Sequence, residues 1–176
     1  MTLRELLIKR FLSKFDGRKL LKYALYLFLA LLLQNMLLGG VRIAGVCPLV
    51  LPAAAVALGM FEGPVWGVLL SIVLGIFGDM AYVENTILFT LLFPLLSFAA
   101  SFVTRFFINR RFFAFMGAAA AAYVITGLVQ MMHVSASDSF SLTMLGTVIL
   151  QALWALPFAP LAYFPVSRWM AKPAGD

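Results

Sequence analysis

The chain has 176 residues, of which 64% are hydrophobic and only 11% are charged. A soluble domain is closer to half apolar and a quarter charged, because its water-facing surface must contain polar groups. The composition therefore excludes an ordinary soluble globular protein and predicts an integral membrane protein. The net charge is +6, but the basic residues lie in short segments beside apolar runs. That placement is typical of membrane proteins, so no nucleic-acid partner is expected.

Residues 1–19 form a basic segment in which Leu3, Leu7, Phe11 and Phe15 recur every four residues. The basic side chains between them would occupy the other faces of a helix. This pattern predicts a short amphipathic helix at the cytoplasmic membrane surface, in contact with anionic lipids. A solvated, partly ordered tail is the alternative interpretation. No signal-peptidase-like site follows the first apolar run, so that run is expected to stay in the protein.

Six apolar runs follow within residues 20–176, each about as long as a membrane-spanning helix of roughly 20 residues. They cover 20–38, 43–61, 64–82, 86–104, 112–132 and 141–165. The sequence thus predicts an all-α integral membrane protein with six transmembrane helices behind the N-terminal helix. Prolines in the second, fourth and sixth runs predict kinks there. Pro48 and Pro52 leave open a broken or re-entrant second segment.

The distribution of Lys and Arg predicts the orientation of these helices. Of the 13 basic residues, seven precede the first helix or lie in its first turn, three lie between the fourth and fifth helices, and two follow the sixth. Placing both termini in the cytoplasm leaves only Arg42 outside. This arrangement satisfies the positive-inside rule, so we expect a multi-pass protein with cytoplasmic termini.

The third predicted helix has the most regular pattern in the chain. Gly67, Ser71, Gly75 and Asp79 follow one another at four-residue spacing, so they share one helix face. Small residues allow another backbone to approach closely. That backbone belongs either to a partner protein or, as we favour, to another helix of the same chain. Asp79 should lie near the outer interface, either hydrated beside Glu84 or hydrogen-bonded inside the bundle.

Two further groups of residues predict packing contacts. Gln34 and Asn35 end the first helix, where their amides can satisfy helix-end carbonyls or bond to another helix. Gly117 and the five alanines at 118–122 lie in the fifth predicted helix. Like the glycines of the third helix, they predict a close-packing surface.

The sequence predicts no catalytic, cofactor-binding or metal-binding residue. His133 is the only histidine, and it lies beside a short outer loop with no placed nucleophile or second ligand. Cys47 is the only cysteine, so neither an internal disulfide nor a thiol metal site is expected. We therefore expect a protein without enzymatic activity.

Several segments resemble the family of MreD, the rod shape-determining membrane protein of bacteria. Leu31-Leu32-Leu33-Gln34 is similar to the family's Leu-rich first helix with its terminal glutamine, and Pro48 opens the next apolar run as a proline does in the family. The stretch from Gly67 to Asp79 is similar to the family's small-residue helix ending in G-x-x-x-D. Residues 153–168 resemble its proline-bearing last helix with a basic exit. Pro52 and the long basic N-terminus depart from the family pattern.

This resemblance implies a non-enzymatic scaffold of the cell-wall elongation complex in the bacterial cytoplasmic membrane. Its direct partner would be an MreC-like membrane protein. The MreB filament, RodA and a class B penicillin-binding protein would be indirect partners. Nothing in the composition or spacing of the residues leads to these partners.

The competing interpretation is a transport protein. MreD-like chains are similar in fold to the substrate-binding S-components of energy-coupling-factor vitamin transporters, which also have six helices. S-components typically carry an Ala-x-x-x-Ala motif on the first helix, whereas here Ala24 and Ala30 are six residues apart. A vitamin site also needs several converging polar groups, and the outer half of this chain has few.

The charge pattern makes a testable prediction about topology. Reporter fusions placed after residue 176 should give a cytoplasmic signal, and fusions in the 133–140 loop should give an external one. The reason is that twelve of the 13 basic residues then face the cytoplasm. A cytoplasmic signal from the 133–140 loop would rule out the six-helix interpretation.

Overall fold

A computed structural model describes residues 17–38, 40, 47–81, 87–106, 112–137 and 142–169. Nearly all of these residues are helical. The elements are α1 (Gly17–Leu32), a π-helical segment (Leu33–Leu38), α2 (Leu51–Ala81), α3 (Leu88–Phe106), α4 (Phe112–Ser137), α5 (Leu142–Ala155), a 3₁₀ turn (Leu156–Phe158) and α6 (Ala159–Trp169). The predicted N-terminal helix lies outside the described residues, except where 17–19 begin α1.

Four helical stretches in the described part of the chain are long and apolar enough to cross a membrane. They are Leu51–Ala81, Leu88–Arg105, Phe112–His133 and Met144–Arg168. Large apolar side chains point outward along them; Leu91 is 67% exposed and Phe113 is 86% exposed. Such surfaces are stable in lipid but not in water. The structure therefore confirms the predicted class, a helical membrane protein.

The long helix α2 reverses its direction at Gly63, which divides it into α2a (51–62) and α2b (64–81). Gly63 has φ 84° and ψ −175°, a conformation open almost only to glycine. A Cβ atom built on Gly67 would lie 2.9 Å from the Cα of Gly59, and one built on Gly78 would lie 3.4 Å from the Leu51 side chain. Residues this far apart cannot meet in a straight helix, which rises about 1.5 Å per residue. The two halves therefore pack antiparallel as a helical hairpin, and Gly63 lies in the gap between the second and third predicted helices.

Several observed helices differ in their bounds from the predicted ones. The second begins at Leu51 rather than 43, because Cys47–Val50 is not helical; residues 43–46 lie outside the described part. Pro52 then falls in the first helical turn, where a missing N–H breaks no hydrogen bond. The first run ends in the π-helical segment. The fifth helix continues to Ser137, so residues 133–137 of the predicted outer loop are helical. A 3₁₀ turn at Pro157 interrupts the sixth, where its prolines predicted a kink.

The core of the molecule is centred on α2a. Every residue from Leu51 to Met60 is buried, as expected of a helix that is apolar on all sides. Around its end, Tyr163 of α6 makes aromatic contacts with Phe61 of α2a and with Phe112 and Phe115 of α4, at centroid distances of 5.0–5.5 Å. These rings join α2a, α4 and α6 at one end of the bundle.

The reversal at Gly63 yields a prediction about stability. Gly63→Ala forces an L-residue into a positive-φ conformation, which should lower the free energy of unfolding by about 1–3 kcal/mol. Gly146→Ala is the matched control, since Gly146 lies in a helix with no atom within 4 Å of an added Cβ. SDS titration of the purified protein in mixed micelles measures both variants. Equal stability of the two would contradict the hairpin at Gly63.

Candidate functional site: polar contacts at the helix breaks

Asp79, near the end of α2b, binds the first turn of α3. Its Oδ1 accepts a hydrogen bond from the Phe89 N–H at 2.9 Å, and its Oδ2 accepts one from the Thr90 N–H at 2.8 Å. The Thr90 hydroxyl also donates to Oδ2, at 2.6 Å. The Asp79 carboxylate is therefore hydrogen-bonded inside the bundle, which was one of the two alternatives for this residue.

This contact supplies hydrogen-bond acceptors for N–H groups at the start of α3. The first N–H groups of a helix have no partner within the helix, and in lipid there is little water to replace one. A carboxylate at this position accepts their hydrogen bonds and also interacts favourably with the positive end of the helix dipole. Asp79 thus acts as an N-cap supplied by the preceding helix rather than by α3 itself.

Gly75 allows this capping contact to form. A Cβ atom on Gly75 would lie 2.6 Å from the Phe89 carbonyl oxygen and 2.7 Å from the Thr90 Cα. These distances leave no room for any side chain. Gly75 and Asp79, one helical turn apart, therefore act together: the glycine admits the start of α3 and the aspartate caps it.

The same face of α2b continues the close packing toward Gly63. A Cβ on Gly67 would lie 3.0 Å from the Ser97 Oγ, and a Cβ on Gly59 would lie 2.1 Å from the Ser97 carbonyl oxygen. Ser71, one helical turn from both Gly67 and Gly75, is fully buried. Gly67, Ser71, Gly75 and Asp79 therefore face α3 and α2a of the same chain. This face is covered within the molecule, so it does not offer a surface for a partner.

Gln34 makes the second contact between a side chain and backbone groups that lie outside a regular helix. It lies in the π-helical segment and is 5% exposed. Its Nε2 donates to the Pro48 carbonyl at 3.2 Å, and its Oε1 accepts from the Val50 N–H at 2.8 Å. One amide thus satisfies both an acceptor and a donor of the non-helical residues 47–50 before α2a. Asn35, which was predicted to make a similar contact, is exposed.

Two tyrosines of α1 make polar contacts that the sequence analysis did not identify. Tyr23 donates to the Glu62 carboxylate at 2.6 Å and stacks on Trp66 with ring centroids 6.3 Å apart. Tyr26 donates to the Ala162 carbonyl at 3.2 Å. Glu62 lies in the gap between the second and third predicted helices. An acidic residue at such a boundary was the sequence feature that could have indicated a polar contact.

The small residues of α4 behave differently from those of α2b. A groove of about 360 Å³ lies between α2a, α3 and α4, where Gly117 and Ala121 face Ala99. An added Cβ on Gly117 would meet no atom within 4 Å. The predicted close packing is therefore not found at Gly117, whereas Ala119 and Ala122 of the same stretch are buried in the core, at 0% and 1% exposed. Further along the helix it is found at Gly127, where a Cβ would lie 2.6 Å from the Val148 side chain.

The described residues do not bring together a set of reactive groups. They contain no group of three or more His, Cys, Asp or Glu side chains that could hold a metal ion. His133 is exposed near the end of α4. Within the groove, the Thr104 hydroxyl is the one polar side-chain group, and it donates to the Ala100 carbonyl of its own helix.

The chain matches no protein-family model, no curated protein and no solved structure.

The capping contact predicts a graded mutational response. Asp79→Ala removes the acceptor for two N–H groups and should lower the free energy of unfolding by about 2 kcal/mol, the upper end for a lost N-cap. Asp79→Asn keeps one carbonyl oxygen as acceptor and should lose less. Unfolding titrations in mixed micelles measure the free energy of unfolding of the wild type and of the two variants. Wild-type stability in Asp79→Ala would exclude the capping role.

The close approach at Gly75 predicts a contrast between two glycines of the same helix. Gly75→Ala should destabilise the protein by about 1–3 kcal/mol, because a methyl group there overlaps the α3 backbone. Gly78→Ala is the control, since its Cβ would make an ordinary contact at 3.4 Å. The amount of folded protein in membranes and the thermal midpoint in detergent measure both. If both variants match the wild type, α2b does not pack on α3 as described.

Proposed function

We propose that this chain is a non-enzymatic, MreD-like scaffold of the bacterial cell-wall elongation complex. The observation that carries the proposal is the joint action of Gly75 and Asp79. This G-x-x-x-D segment is one of the four that resemble the MreD family, and the contact gives it a physical reason: a glycine that admits the next helix and an aspartate that caps it. A pattern with a structural purpose is a stronger basis for a resemblance than small residues alone.

The proposal includes six membrane crossings in an architecture similar to that of S-components. Helix α1 has 16 residues and continues into six π-helical ones. Segment α2a is only about 18 Å long by its rise per residue. The non-helical residues Cys47–Val50 add about 13 Å at most, which brings the total close to the roughly 30 Å of a bilayer core. Segment α2b and helices α3 and α4 supply the next three crossings, and α5 and α6 together supply the last.

The polar side chains of the described residues support a scaffold over a carrier. Gln34 and Asp79 both bond to backbone groups of the same chain, so neither converges on a ligand. The groove beside α4 is lined by apolar side chains apart from Thr104. A vitamin carries several polar groups and needs matching partners in its site. An S-component of a vitamin transporter is therefore the less supported alternative.

Site-specific photo-crosslinking in cells tests the scaffold proposal. A photoreactive amino acid is placed at lipid-facing positions on four helices: Phe28, Leu91, Leu128 and Leu153. At least one helix should crosslink to the MreC-like protein encoded in the same genome, because the protein's inner faces are occupied and partners must meet its lipid-facing surface. Leu74, which is fully buried, is the negative control.

Binding measurements on the purified protein test the alternative function, a vitamin-binding S-component. Thiamin, riboflavin, biotin and folate should produce no saturable signal in isothermal titration. Depletion of the protein from growing cells should convert rods to spheres, and the wild-type gene should restore them. Sub-micromolar binding of any of these vitamins, with no crosslink to an MreC-like protein, would favour the S-component instead.

A further inference from the structure

We draw no further inference here: the strongest candidate, the apolar groove between α2a, α3 and α4 where Gly117 and Ala121 face Ala99, has no charged side chain in its lining, and nothing in the structure shows what covers it.

Discussion

The structure depends on one constraint, which is that backbone N–H and C=O groups need hydrogen-bond partners where lipid excludes water. A continuous helix meets this need along its length but not at its ends or at a break. Among the described residues, such places are the non-helical segment 47–50 before α2a and the start of α3. At each one a single polar side chain from a neighbouring element supplies the hydrogen bonds: Gln34 at Pro48 and Val50, and Asp79 at Phe89 and Thr90.

The close packing of α2a, α2b and α3 follows from these contacts. Asp79 reaches the start of α3 only because Gly75 leaves room for the α3 backbone, and Gly59 and Gly67 let the same helices stay close about two turns further along. Gly63 supplies the reversal that brings α2a against α2b. In lipid, where burial of apolar surface gives little drive for helix association, this close contact between backbones is a main source of stability.

Three polar side chains of the described residues bond within the molecule and hold the fold. Asp79 caps a helix, Gln34 bonds to the backbone before α2a and Glu62 accepts from Tyr23. The outer faces of the helices carry large apolar side chains. A protein built in this way would meet its partners through shape and apolar contact at its lipid-facing surface, which is consistent with the scaffold role that we propose.

The sequence by itself determined the class of the protein and the positions of most helices. Apolar runs of membrane-spanning length and the scarcity of charge can be satisfied only in lipid, and both are properties of the chain rather than of its packing. The four-residue spacing of Gly67, Ser71, Gly75 and Asp79 was also visible, because residues on one helix face repeat with the helical period. The prolines of the sixth run also predicted an irregularity, and a 3₁₀ turn lies at Pro157. The π-helical end of the first run was not visible, since such local irregularities depend on which neighbours can satisfy the displaced backbone groups.

Tertiary structure decided what each of these features contacts. Gln34 and Val50, which share a hydrogen bond, are 16 residues apart, and Asp79 and Phe89 are ten apart. No periodicity within one helix connects either pair. Two stretches of small residues also looked alike in sequence, yet Gly75 lies against the α3 backbone while Gly117 faces an open groove. Spacing places small residues on a helix face, but only the fold determines whether another backbone comes to meet them.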